Sequence, residues 1–121
     1  MYDLSELTTV FRQKGIKLWL ETSGAYPITG QWDWIVVSPK KRKPVLQETL
    51  NKAHELKIVI VRRPDLEWAD SILDSFTKPI EAYLQPEWSR EEEILPAIIN
   101  HVKSDGRWSI SLQTHKYMRI P

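Results

Sequence analysis

Trp108-Ser109-Ile110-Ser111-Leu112-Gln113-Thr114-His115-Lys116-Tyr117 decides how the chain is read. It opens with apolar and hydroxyl residues in alternation, the pattern of a strand, and runs straight into an amide, a hydroxyl, an imidazole and an ammonium. Strands that end for structural reasons usually stop in turn chemistry such as Asn-Gly or Pro-Asp. This one ends in side chains that each hold a ligand well. In parallel α/β architectures ligands sit outside the carboxyl ends of the strands, so the other strand ends become the next place to look.

Working outward from that stretch, the same pattern recurs. Leu4, Leu7, Val10 and Phe11 fall at helical spacing with Lys14-Gly15 as a stop, which predicts an amphipathic helix over residues 4–14. Residues 16–20 read as a strand that delivers Glu21-Thr22-Ser23-Gly24. Residues 33–37 are apolar enough to predict a strand covered on both faces, and they deliver Ser38-Pro39-Lys40. Pro44 opens a helix expected to reach about residue 56, and residues 57–61 form the next strand. Asp65 is the expected cap of a helix running to Phe76. Residues 80–84 then deliver Gln85-Pro86, and Ser89 with Glu92 reads as a capping box before a helix that Asp105-Gly106 closes. The order α-β-β-α-β-α-β-α-β predicts a parallel sheet with right-handed crossovers, either part of a barrel or an open sheet.

Composition narrows the classes. At 121 residues the chain reads as one domain with a real core. It has no cysteine, so it carries no disulfide, thiolate zinc site or iron-sulfur ligand of its own. Its longest apolar run falls far short of a membrane span and no signal peptide opens it, which points to the cytoplasm and to no membrane partner. Lys40-Lys41-Arg42-Lys43 has no interleaved aromatics and reads as a solvated helix start, so no nucleic-acid partner is expected. His54 and His101 lack a second ligand at metal spacing and read as surface residues. Trp19, Trp34 and Trp108 lie in strands and are expected in the core.

The polar strand ends, Glu21-Thr22-Ser23-Gly24, Ser38-Pro39-Lys40, Gln85-Pro86 and Gln113-Thr114-His115-Lys116, form one predicted rim if the strands are parallel. With Asp33-Trp34-Ile35 and the terminal Ser111 to Tyr117 run, they resemble the 7-carboxy-7-deazaguanine synthases, radical S-adenosylmethionine enzymes of queuosine and deazapurine biosynthesis. The resemblance covers essentially the whole chain but only the second half of such an enzyme. It implies half of a partial (β/α) TIM-like barrel that binds S-adenosylmethionine and a pterin-derived substrate, 6-carboxy-tetrahydropterin, at its carboxyl rim. Glu21 would accept from the cofactor's ribose hydroxyls, Ser38 and Lys40 would contact the same cofactor, and Gln85 would approach its adenosine. Gln113 and His115 would face the substrate, as would the terminal carboxylate of Pro121.

The family's first half carries a three-cysteine loop for a [4Fe-4S] cluster and most of the magnesium ligands, and neither is found here. No catalytic residue and no metal ligand is therefore assigned to this chain, which is expected to be inactive alone. The alternative is a non-catalytic domain that binds a nucleoside or pterin, or that completes another chain's barrel. An open strand edge at residues 16–20 predicts self-association into a homo-oligomer.

Overall fold

The computed structural model of the chain describes residues 3–112. Its elements are α1 (Ser5–Gln13), β1 (Trp19–Thr22), β2 (Trp34–Val37), α2 (Gln47–Lys52), β3 (Glu55–Ile60), α3 (Pro64–Asp74), β4 (Glu81–Pro86), α4 (Glu91–Ser104) and β5 (Trp108–Ile110). The strands follow the order β1-β2-β3-β4-β5, and the β1–β2, β2–β3 and β4–β5 pairs are parallel. The fold is thus the expected parallel α/β sheet. The chain divides into two compact units, with the boundary between Leu56 and Lys57.

In the first unit, Asp33 sets where pairing begins. Its Oδ2 accepts from the Leu18 amide at 2.7 Å and its own amide donates to the Leu18 carbonyl at 2.8 Å. Arg12 holds the other carboxylate oxygen at 2.7 Å, and the Leu18 amide and the guanidinium together keep the Asp33 carboxyl below the usual carboxylate range. Trp19 consequently pairs with Trp34, and the strand runs later than the expected residues 16–20, taking in Glu21 and Thr22. Ile35, Val36 and Val37 are buried on alternate sides of β2, as its uniform apolarity predicts. Leu50, Ala53 and Leu56 complete the core of this unit.

The helix expected to reach residue 56 stops at Lys52. Ala53 is already extended, and His54 is captured by β2: its amide donates to the Ile35 carbonyl and its Nδ1 accepts from the Ile35 amide, both at 2.9 Å. His54 is therefore no helix residue. It stacks on Trp34 with ring centroids 5.0 Å apart, and Trp34 in turn lies 5.8 Å from Trp19. Trp19 was expected in the core but is 69% exposed, because among the described residues β1 has a strand on one side only. In β3, Leu56, Ile58 and Ile60 are fully buried while Glu55, Lys57 and Val59 are half-buried, the alternation of a strand with one covered face.

In the second unit Ile58, Ile60, Leu66, Ala69, Leu73, Ala82, Leu84, Ile94, Ile98 and Trp108 are buried, with α4 lying against β4 and β5. Asp65 does not cap α3. It sits in the first turn, after Pro64, and its Oδ2 accepts from the Val61 and Arg62 amides at 2.9 and 3.0 Å, which fixes the exit from β3. The capping box before α4 is likewise replaced. Trp88–Arg90 form a 3-10 turn, and the Glu87 carboxylate accepts from the Ser89 amide at 3.0 Å. A carboxylate just before the turn takes the Ser89 amide that the Glu92 side chain was expected to reach.

Candidate functional site at the strand ends

The first unit brings Glu21, Ser38 and Lys40 to neighbouring positions. Glu21 pairs in register with Val36, and the Ser38 amide donates to the Thr22 carbonyl at 2.7 Å, so the ladder carries on one step beyond β2. Glu21 is exposed, Ser38 is buried at 7% exposure, and Lys40 is exposed two residues further on. Among the described residues the Ser38 hydroxyl has no side-chain hydrogen bond, an unusual state for a buried polar group.

The loop after β1 is held in shape by Gly24. Its φ of +79° is the left-handed region that suits glycine, and a Cβ there would lie 2.9 Å from Val45 Cγ1 and 3.3 Å from Val37 Cγ1. The Thr22 hydroxyl accepts from the Gly24 amide at 3.1 Å, and the Gly24 carbonyl accepts from the Leu46 amide at 2.9 Å. The polar end of β1 is thereby tied to the start of α2.

In the second unit β4 extends through Gln85 and Pro86, so Gln85 is part of the strand instead of the loop after it. It is 5% exposed. Beyond β5 the Ser111 amide donates to the Leu84 carbonyl at 2.9 Å, and the Ser111 hydroxyl donates to Gln85 Oε1 at 3.3 Å. The other end of the Gln85 amide has no partner among the described residues. Ser111 opens the terminal run that carries the resemblance, yet the sequence gives it no role of its own; the β4–β5 register sets it beside Gln85. Gln113, His115 and Pro121 lie outside the described residues.

A second polar cluster lies at the other end of these strands. Asp70 Oδ1 accepts from Trp108 Nε1 at 2.8 Å and lies 2.9 Å from His101 Nε2, with Asp105 close enough for all three residues to surround an ion. His101 is half-buried and partnered, contrary to the surface position expected of it. The cluster is complete as it stands. Both Asp105 oxygens are taken by Arg107 at 2.8–3.2 Å, and Arg107 also reaches Asp74 at 2.7 Å, so a fixed guanidinium supplies the positive charge. Arg107 lowers the Asp105 carboxyl to about 2. A cleft of about 380 Å³ lined by Leu73, Phe76, Lys78, Ile80 and Arg107 is on this side too, where Ile80 and Arg107 immediately precede their strands. Ligands of parallel sheets bind at the opposite ends.

The chain is a parallel α/β protein with buried polar groups at carboxyl strand ends, where proteins of this class place their ligands. No protein-family model matches the chain. It is 42% identical over 120 residues to the 7-carboxy-7-deazaguanine synthase of Flavobacterium psychrophilum and 41% identical over 123 residues to that of Synechocystis, in each case across 99% of this chain and 57% of the relative. It also superposes on the crystal structure of QueE from Escherichia coli with a TM-score of 0.82 at 29% identity, covering 93% of this chain and 51% of that one. In sequence and in fold the chain corresponds to the carboxyl-terminal half of the 7-carboxy-7-deazaguanine synthases. It spans a little over half the length of the curated relatives it matches.

Proposed function

We propose that this chain supplies the carboxyl-terminal half of a 7-carboxy-7-deazaguanine synthase, half of a TIM-like barrel that forms the nucleoside side of an S-adenosylmethionine pocket and part of the site for 6-carboxy-tetrahydropterin. The observation that carries the reading is Gln85, an amide 95% removed from water at a strand's carboxyl end, with one end held by Ser111 and the other without a partner among the described residues. A buried amide group left unpaired costs roughly 1–3 kcal/mol, and the donor and acceptor edge of an adenine satisfies it.

The first unit offers polar groups of its own to a nucleoside. Glu21, at the end of β1, offers a carboxylate to a ribose diol, and the buried Ser38 hydroxyl, one ladder step away, has capacity for another polar contact. Lys40, exposed two residues beyond Ser38, is proposed to contact the same cofactor through its ammonium. Gln113, His115 and Pro121 are proposed to contact the pterin. In an assembly that also held an iron-sulfur cluster, S-adenosylmethionine would supply the hydrogen abstraction from the substrate, and the residues named here would bind and orient it.

The cluster does not fit this chain. Its 121 residues include no cysteine, so no ligand for [4Fe-4S] is available and no magnesium ligand is assigned to it. The lyase reaction is therefore proposed only for an assembly that includes the cluster-bearing half, and this chain alone is proposed to be inactive. A cytoplasmic setting suits this chemistry, and among the described residues no helix is long and apolar enough to cross a membrane.

An amide-resolved NMR titration with S-adenosylmethionine tests the reading. The expected result is weak, saturable shifts at Glu21, Ser38 and Gln85, with Gln85→Leu removing those at its own strand. Shifts absent from all three positions at millimolar ligand overturn it.

A further inference from the structure

Gln85 is pinned at the main chain and adjustable in its side chain. Pro86 keeps the residue before it in extended backbone, and one residue further the Glu87 amide donates to the Ile60 carbonyl at 2.9 Å. The side chain ends in a planar amide whose last torsion is broad and roughly two-fold. Turning it over exchanges a donor for an acceptor at little cost. At 5% exposure the amide is largely out of solvent, so whichever end faces a ligand decides what that ligand must bring.

Ser111 makes that choice. Its own amide donates to the Leu84 carbonyl at 2.9 Å, one step beyond the pair of Leu84 with Ile110, so the residue is seated by its main chain. Its hydroxyl is then available to the neighbouring side chain and donates to Gln85 Oε1 at 3.3 Å, long for a bond between two oxygens. Such a contact adds little stability, but it occupies the acceptor end of the amide. The Nε2 end, with two hydrogens and no partner among the described residues, is what remains for a ligand.

We propose that Ser111 is a positioning residue: its hydroxyl holds the Gln85 amide with Nε2 toward the ligand, so that the site selects a base edge carrying a hydrogen-bond acceptor, a ring nitrogen of adenine. Ser111 acts through Gln85 and supplies no contact of its own to the nucleoside. The proposal rests on the reading of Gln85 as a contact of the adenosine portion of S-adenosylmethionine.

The test titrates the full chain with S-adenosylmethionine, as parent and as Ser111→Ala, Ser111→Thr and Ser111→Asp, and follows the Gln85 side-chain amide by NMR. In the parent the amide protons are expected to shift on binding and to show cross-relaxation with the ring protons of adenine. Threonine keeps the hydroxyl and is expected to keep both signals and the affinity. Alanine lets the amide turn over, which weakens the cross-relaxation and raises the apparent Kd about twofold, since one orientation in two is competent. Aspartate can only accept, so it draws Nε2 to itself and turns Oε1 toward the ring nitrogen. Its affinity is expected to fall about tenfold or more, although a carboxylate attracts the sulfonium. Circular dichroism shows whether the aspartate variant folds, and the alanine and threonine pair decides the matter if it does not. Equal affinity and equal cross-relaxation in the parent and Ser111→Ala overturn the proposal and leave the reading of the pocket standing. A parent with no shift at Glu21, Ser38 or Gln85 overturns both.

Discussion

Gly24 is the residue on which the polar end of β1 depends most directly. A side chain there meets Val45 at 2.9 Å while the backbone holds a φ of +79°, so Gly24→Ala is expected to destabilise the protein by about 2–4 kcal/mol in urea titrations, with no change in m. Asp105 gives a pH dependence of definite sign. Arg107 lowers its carboxyl from 3.8 to about 2, so the stabilisation is whole above pH 4 and is lost as the pH falls toward 2. Arg107 is half exposed, which limits the effect to less than about 1 kcal/mol, and Arg107→Ala is expected to flatten much of that acid limb in melts taken between pH 4 and pH 2. Residue chemistry of this kind was legible unevenly. Glu21, Ser38 and Gln85 stood out as polar groups after apolar runs, but Asp33 and His54 did not. Their work is to bind the backbone of a strand many residues away, which leaves no periodic trace.

Elements were legible where a run of side chains buries one face. The strands and the long helices α3 and α4 follow from that pattern, with boundaries displaced wherever a tertiary hydrogen bond outweighed it. The capping box at Ser89 failed because Glu87 reaches the same amide, and the helix expected to reach residue 56 failed because β2 captures His54. Helix α1 shows the opposite case: its pattern was read correctly, while its apolar side has no cover among the described residues of its own unit. Thr8→Val in the chain alone is expected to cost about 1–3 kcal/mol, because it leaves the Gln31 amide without its acceptor. Phe11→Ser is expected to change stability by less than about 0.5 kcal/mol. Thermal melts of the two variants side by side check the reversal, and equal losses would argue that the apolar side is already covered.

At the scale of the molecule, the parallel order of the strands and the relation to 7-carboxy-7-deazaguanine synthases are on firm ground, and the strand ends carry buried polar capacity in both units. The sequence announced that relation through its terminal motif, although Gln113, His115 and Pro121 are beyond the residues described. The account comes down to whether these 121 residues can serve where a relative's second half serves. The most direct measurement replaces the matching carboxyl-terminal half of the Flavobacterium psychrophilum enzyme with this chain, loads the chimera with its cluster and assays it with S-adenosylmethionine and 6-carboxy-tetrahydropterin. The account predicts 7-carboxy-7-deazaguanine as product, with Glu21→Ala raising the KM for S-adenosylmethionine about tenfold or more. A folded, cluster-loaded chimera that forms no product would contradict it.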